Sequence, residues 1–260
     1  MANEKLTIVS LNAWGGRALP ELLQFLRRHA PTTDVFCLQE IFDTAQAVVD
    51  GRHPGESVCG DLFQRISDEL YGFYGSFARH GDNPDRASLA MFIRSTVPRR
   101  RGITDFTVHV PGRPVDIGSA APSSRRLQHA TLNFGGRGVL VANYHGLWCD
   151  GPKTDTPERL TQSRRVRAFL DTQISPHVLC GDFNLLPETE SVRIIAEHMR
   201  NLVVEAGVPG TRTPLYRHYH DETEPNFADY VFTTPDLRVD RFEVLPDIAS
   251  DHAALLVEVG

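Results

Sequence analysis

The stretch Gly138-Val139-Leu140-Val141-Ala142-Asn143-Tyr144-His145 decides the fold once it is set beside what precedes it. Gly138–Ala142 is a nearly continuous apolar, β-branched run, the pattern of a central strand covered on both faces. Upstream, Leu89–Arg94 and Leu127–Phe134 are also strand-length, and nothing between Leu89 and His145 reads as a helix. A doubly wound parallel sheet requires crossover helices between its strands. This stretch offers strands without one, so the fold class expected is α/β with two mixed β-sheets packed face to face and helices outside.

Working outward, further strand-like runs are Leu6–Leu11, Asp34–Gln39, His177–Gly181, Tyr230–Thr233, Val239–Leu245 and Ala253–Val259. Four segments carry helical spacing. Pro20 opens one that turns Leu22, Leu23 and Leu26 inward. Val58, Leu62, Ile66 and Leu70 mark the second at four-residue intervals. The third starts near Pro157-Glu158 with Leu160, Val166 and Leu170 inside, and the fourth follows Pro187 with Val192, Ile195 and Met199. Long loops are expected at Ile41 to Gly55, Pro111 to Ser124 and Gly207 to Asn226. No repeat or Ser/Gly linker divides the chain, so residues 1–260 are read as one domain.

Composition narrows the class. Over 260 residues, 41% hydrophobic and 23% charged content is that of a globular chain and excludes disordered, collagen-like and coiled-coil proteins. A net charge of −6 argues against coating nucleic acid by bulk charge but leaves a locally basic cleft open. There are 25 arginines and two lysines, Lys5 and Lys153. Arginine grips phosphate bidentately, although a genome-wide codon bias explains the ratio more simply. Cys37, Cys59, Cys149 and Cys180 lack zinc or disulfide spacing. With no h-region and no apolar stretch of membrane-spanning length, the expectation is a cytoplasmic protein with reduced thiols and no transmembrane segment.

The chemistry lies where apolar runs stop. Leu6–Leu11 ends at Asn12, Val35–Gln39 at Glu40, Val139–Tyr144 at His145, and Val178–Cys180 at Gly181-Asp182-Phe183-Asn184. Asp229 precedes one strand, and Ser250-Asp251-His252 precedes another. In a mixed sandwich these ends can share one edge. Taken singly, each is an ordinary turn former or cap. Six strand edges together, carrying hard oxygen ligands and histidines, suit Mg²⁺ or Mn²⁺ and attack of water on phosphorus.

In this order the residues resemble the endonuclease/exonuclease/phosphatase superfamily, which includes deoxyribonuclease I, exonuclease III-type abasic-site endonucleases, sphingomyelinases and inositol polyphosphate 5-phosphatases. The resemblance rests on Ser10-Leu11-Asn12, Leu38-Gln39-Glu40, Asn143-Tyr144-His145, Gly181 to Asn184, Asp229 to Phe232 and Ser250-Asp251-His252, with Arg126, Gln128 and Arg159-x-x-Gln162 as further matching positions. It implies a four-layer α/β sandwich and a Mg²⁺-dependent hydrolase of phosphate esters, with Mn²⁺ able to substitute. Glu40 would be the principal metal ligand, joined by Asn12 and Asp251. Asp182 would orient or deprotonate the water, Asn184 would hold the phosphate, and His252 would contact it with Asp229 as orienting partner. His145 would stabilise the transition state or protonate the leaving oxygen.

Departures bear on the branch. Trp14 stands where many repair nucleases have an acidic residue, and the Trp-Cys-Asp-Arg signature of inositol 5-phosphatases is absent. His145 matches the deoxyribonuclease and sphingomyelinase branches, for which Asp85 is a positional candidate as its carboxylate partner. Trp14, Trp148, Arg126, Tyr216 and His218 are candidate substrate contacts, with ordinary packing the alternative for the tryptophans. Arg99-Arg100-Arg101 reads as a solvated face. The expected activity is a phosphodiesterase or nuclease acting, as a monomer, on DNA, RNA or nucleotides. The alternatives are a phosphomonoesterase or sphingomyelinase-like enzyme, and a catalytically silent binding module.

Overall fold

The computed structural model describes residues 5–44, 57–79, 87–109, 124–134, 136–149, 151–221 and 226–260. The strands are β1 (Leu6–Asn12), β2 (Val35–Ile41), β3 (Phe73–Phe77), β4 (Ser88–Arg94), β5 (Thr104–His109), β6 (Arg125–Phe134), β7 (Arg137–His145), β8 (His177–Asp182), β9 (Arg200–Asn201), β10 (Asp229–Thr233), β11 (Val239–Val244) and β12 (Leu255–Val259). The helices are α1 (Leu19–His29), α2 (Leu62–Glu69), α3 (Pro157–Asp171), α4 (Glu190–Ala196) and the single turn α5 (Leu202–Glu205).

Two mixed six-stranded sheets result, ordered β11-β12-β1-β2-β4-β3 and β5-β6-β7-β8-β10-β9. In each, one central pair is parallel, β1 with β2 and β7 with β8, and its crossover contains α1 or α3. All other neighbours are antiparallel. The two sheets therefore share one plan, and the fold is the α/β sandwich expected.

Period-two alternation divides each central strand between two cores. From β1, Leu6 and Ile8 join the layer between the sheets, while Val9 and Leu11 pack under Leu22, Phe25 and Leu26 of α1 and Leu62 and Ile66 of α2. On the other sheet, Val166 and Leu170 of α3 and Val192 and Ile195 of α4 extend the first core. Cys37 of β2 and Cys180 of β8 meet thiol to thiol in the inter-sheet layer, both fully buried.

Below the eventual site, polar side chains replace apolar ones. Gln39 Nε2 donates to Asn143 Oδ1 at 2.7 Å. Asn143 Nδ2 donates to the carbonyls of Leu38 and Ala90. Gln128 Nε2 donates to Ser76 O. These bonds cross between the sheets and pair most of the buried polar groups, Gln39 Oε1 being left without a donor.

Three strands escaped the sequence reading: β3, β5 and β9. All three lie at sheet edges. Edge strands are half-exposed and need no long apolar run, as Phe73-Tyr74-Gly75-Ser76-Phe77 illustrates. The inward face of α3 also differs from expectation. Leu160 is only half-buried, and the buried positions include Arg159, Gln162 and Ser163. The reason is polar: Arg159 donates to the carbonyls of Leu147, Pro152 and Thr154, and Gln162 Oε1 accepts from Leu147 N. The start of α3 thus clamps the loop after β7. Most of the expected loops at 41–55 and 111–124 lies outside the described residues, as does Asp85. Among the described residues, no helix is long and apolar enough to cross a membrane.

Candidate active site

Strand register explains how distant residues meet. In the second sheet His145 lies opposite Asp182, and Asp182 lies opposite Asp229, so three adjacent strands carry one lateral row. In the first sheet Asn12 ends β1 opposite Gln39, with Glu40 next along β2, and His252 shortly precedes β12. The two rows face one another at one edge of the sandwich.

Asp182 is the centre. Its Oδ2 accepts from Asn12 Nδ2 at 2.9 Å and lies 3.5 Å from His145 Nε2 and 3.7 Å from His252 Nε2. Its Oδ1 accepts from Asn184 N at 2.9 Å. Burial disfavours the carboxylate, but His252, His145, Arg212 and Lys153 outweigh it and hold Asp182 well below the usual carboxylate range. His252 Nδ1 lies 2.9 and 3.0 Å from the two carboxylate oxygens of Asp229, which fixes the ring and leaves Nε2 facing Asp182. Burial and Arg212 oppose a proton on His252, yet Asp229, Asp251 and Asp182 raise its pKa above the ordinary histidine value.

Backbone strain gathers here. Among the described residues, four non-glycine positions have positive φ: Trp14, Glu40, Asn184 and His198. Three of the four belong to the candidate site, where such strain typically concentrates. At Glu40 the register between β2 and β4 slips, and the φ of 56° re-aims the side chain out of the strand's alternation. Gly181 has φ 145°, and an added Cβ would lie 1.9 Å from Tyr144 O. Only glycine lets β7 and β8 approach so closely in front of Asp182.

Glu40 is a half-buried carboxylate with no hydrogen bond or ion pair among the described residues. Beside it, Asn12 Oδ1 accepts from Trp14 N at 2.9 Å and keeps a second lone pair. A partnerless carboxylate next to an amide oxygen is a hard oxygen set of the kind divalent cations take. Asp182, Asp229 and His252 also bring ligand-type atoms within 4.8 Å of one another. There the Asp229–His252 hydrogen bonds already use both partners.

Asp251 has a partner at each oxygen, Ser250 Oγ donating to Oδ1 at 3.4 Å. Arg212 Nη1 donates to its Oδ2 at 2.9 Å, and a bridge pairs Arg212 with His252. Thr211, next in chain, accepts at Oγ1 from the amides of Ala228 and Asp229. The loop after Gly207 therefore docks into the site through Thr211-Arg212-Thr213. Lys153 comes from the clamped loop after β7. Its Nζ donates to Phe227 O at 2.7 Å, and burial together with Arg212 brings its pKa down to about 8.

Sequence reasoning passed over both cations. The signal available was that Lys153 is one of two lysines among 25 arginines.

The candidate substrate contacts divide. The Tyr216 ring lies against Arg212 and Lys153, 4.4 and 5.8 Å from its centroid, and His218 packs edge-on to it. Trp14 is half-buried beneath Arg17, and Trp148 is half-buried on the clamped loop. Arg126 is engaged by Asp105 and Thr107, although it lines a small cleft with Arg125, Ser124 and His145. Arg99 is half-buried and stacks on Tyr74, while the exposed Arg100 bonds Asn133.

An endonuclease/exonuclease/phosphatase family protein from Bacteroides thetaiotaomicron has the same fold, with a TM-score of 0.74 and 18% identity over 100% of this chain and 96% of its own. The mannosyl-6-phosphatase of B. thetaiotaomicron VPI-5482 gives 0.73 and 18% over 98% and 99%. TDP2 from D. rerio, in complex with a single-strand DNA product, gives 0.71 and 17% over 99% and 100%. No curated protein matches the chain in sequence. The model described as Endonuclease/Exonuclease/phosphatase family matches residues 9–252, and the chain belongs to that family of phosphoesterases.

Proposed function

We propose that this protein is a Mg²⁺-dependent hydrolase of phosphate esters that works by direct attack of water, with residues 1–260 acting as one domain. The observation that carries the reading is the pair of facing rows, with Asp182 contacted from both sheets. Glu40, with Asn12 and Asp251, would hold the cation, and Mn²⁺ would substitute. When bound, such an ion neutralises a phosphoryl oxygen and the leaving oxygen.

The protein's own groups then have separate tasks. Asp182, held ionised by its cationic neighbours, accepts a hydrogen bond from the water, aims its lone pair at phosphorus and takes the water's proton as the new bond forms. Asn184 and His252 Nε2 hold phosphoryl oxygens, and Asp229 fixes the His252 ring. His145 stands on the far side of Asp182 from Asp229, placed to give a proton to the leaving oxygen. The bond from the water oxygen to phosphorus forms as the bond to the leaving oxygen breaks. Positioning and charge do the work, without a covalent intermediate.

Two substrate classes fit this chemistry. A diester in nucleic acid or a nucleotide has the support of the half-buried Trp14 and Trp148 and of the fold shared with TDP2, whose structure holds a DNA product. A monoester has the support of Lys153 and Arg212 and of the fold shared with a mannosyl-6-phosphatase. The test is Mg²⁺-dependent hydrolysis of plasmid DNA, RNA oligonucleotides, bis-p-nitrophenyl phosphate and p-nitrophenyl phosphate. Asp182→Asn and His252→Ala should abolish turnover of whichever substrate the wild type accepts. Variants that match wild type would overturn the reading.

A further inference from the structure

Lys153 is braced on two sides. Its carbonyl accepts from Leu186 N at 2.9 Å, in the loop that follows Asn184, and its Nζ donates to Phe227 O, two residues before Asp229. The ammonium is thereby fixed between the segments that carry Asn184 and Asp229. Arg212 is fixed beside it, its side chain only 6% exposed. The Tyr216 ring lies against both cations. One wall of the site is therefore two cations and a ring.

Charge separates the two. Arg212 is offset by Asp251, although its buried Nε has no acceptor. Among the described residues Lys153 makes no close ion pair: its direct contacts are a backbone carbonyl and an aromatic face, while the carboxylates of Asp182, Asp229 and Asp251 act on it from farther away. A half-buried ammonium with no carboxylate in direct contact keeps N–H donors for an arriving anion. The other lysine, Lys5, is an exposed surface residue near Asp240 and Glu258. In an arginine-rich chain, the lysine at the site is the one that the surface does not explain.

The substrate's charge supplies a direct partner. A phosphodiester carries one negative charge. A phosphate monoester carries nearly two at neutral pH, because its second pKa is about 6. A bound divalent cation suffices for the single charge. The additional ammonium, with spare N–H donors beside Arg212 Nε, matches the second.

We propose that Lys153, supported by Arg212, is a phosphate-binding subsite that selects a terminal phosphate monoester over a diester. This deepens the phosphoesterase reading and rests on it for the reaction, though not for the binding. Lys153 touches the non-reacting oxygens and takes no part in proton transfer.

The experiment compares wild type, Lys153→Met, Lys153→Gln and Lys153→Arg on p-nitrophenyl phosphate and bis-p-nitrophenyl phosphate with Mg²⁺. The wild type should prefer the monoester. Loss of one charge-assisted hydrogen bond should lower kcat/KM on it ~10- to 100-fold, chiefly through KM, with a clearly smaller loss on the diester. Lys153→Arg should restore part of the loss. Equal losses on both substrates, or none, would overturn the proposal.

Calorimetric titration with inorganic phosphate adds a readout independent of turnover: Lys153→Gln should bind about tenfold or more weakly than wild type. If wild type hydrolyses neither ester, the hydrolase reading fails, while the phosphate titration still decides the subsite. If Lys153→Met does not fold, Lys153→Gln and Lys153→Arg carry both comparisons.

Discussion

Asn12 Nδ2 donates to Asp182 Oδ2 across 2.9 Å, joining the last residue of β1 in one sheet to the last residue of β8 in the other. The bond spans 170 positions of sequence and fixes the separation of the two rows. Asn12→Ala leaves that buried carboxylate one donor short. Urea unfolding should show a loss of about 1–3 kcal/mol. Hydrolysis should fall further than stability alone explains, since the folded fraction would still dominate. An unchanged rate in folded Asn12→Ala would show that Asp182 needs no help from the first sheet.

Metal binding should be separable from catalysis at Glu40. Thermal melts with and without Mg²⁺ should show stabilisation of roughly 2.7 kcal/mol at a hundredfold excess over Kd. Glu40→Gln should keep the fold and lose that shift. A shift that survives the substitution would move the principal ligand elsewhere, with Asp182 and Asp229 the next candidates.

Gly181→Ala tests the close approach of β7 and β8. The φ of 145° and the nearness of Tyr144 O leave no space for a methyl group. Backbone strain alone costs on the order of 1–3 kcal/mol, and the clash adds to it. The variant should melt at a clearly lower temperature or fail to accumulate as folded protein. A wild-type melting curve would contradict the described backbone.

The inter-sheet amides are coupled. Gln39→Ala and Asn143→Ala should each cost about 1–3 kcal/mol by orphaning the other's buried group. The double variant should cost less than the two losses added, because the contact is counted twice. Additivity in denaturant titrations would mean that the 2.7 Å bond contributes little.

Acid should unfold the protein through histidines far from the metal ligands. His109, His129 and His177 are each held below the ordinary histidine value, with burial the first cause in all three. The native state keeps them neutral where the unfolded chain takes up protons. Their contribution is therefore intact above about pH 6.5 and is lost as the pH falls below it. His252, with its raised value, acts in the opposite sense and in a higher window. The denaturation midpoint should fall between pH 7.5 and pH 5, and His177→Gln should flatten the fall.

What the sequence made legible follows from how burial writes itself into composition. Gly138–Ala142 and Asp34–Gln39 are covered on both faces, and their apolar runs place the sheet centres within a residue or two. Their endings also announced Glu40 and His145, as those of Leu6–Leu11 and Val178–Cys180 announced Asn12 and Asp182. Edge strands β3, β5 and β9 left no such mark because half their surface faces water. Arg212 and Lys153 were hidden for a different reason. Each reaches the site from a loop, and loop residues carry no period from which a direction can be read. Arg159 and Gln162 were hidden on a helix, where they point inward to satisfy a backbone carbonyl and a backbone amide rather than to fill a core.

Cys37 and Cys180 touch in the layer between the sheets, two positions before Gln39 and two before Asp182. Two small side chains therefore set the gauge of the sandwich immediately behind its mouth. Close-packed interiors transmit added volume rather than absorb it. A bulkier pair at this point would act as a wedge, parting Asn12 from Asp182 without altering a single residue that meets substrate. The aperture of the site is in this sense a property of its core, and residues chosen for size rather than chemistry govern how well the facing rows can close on a phosphate.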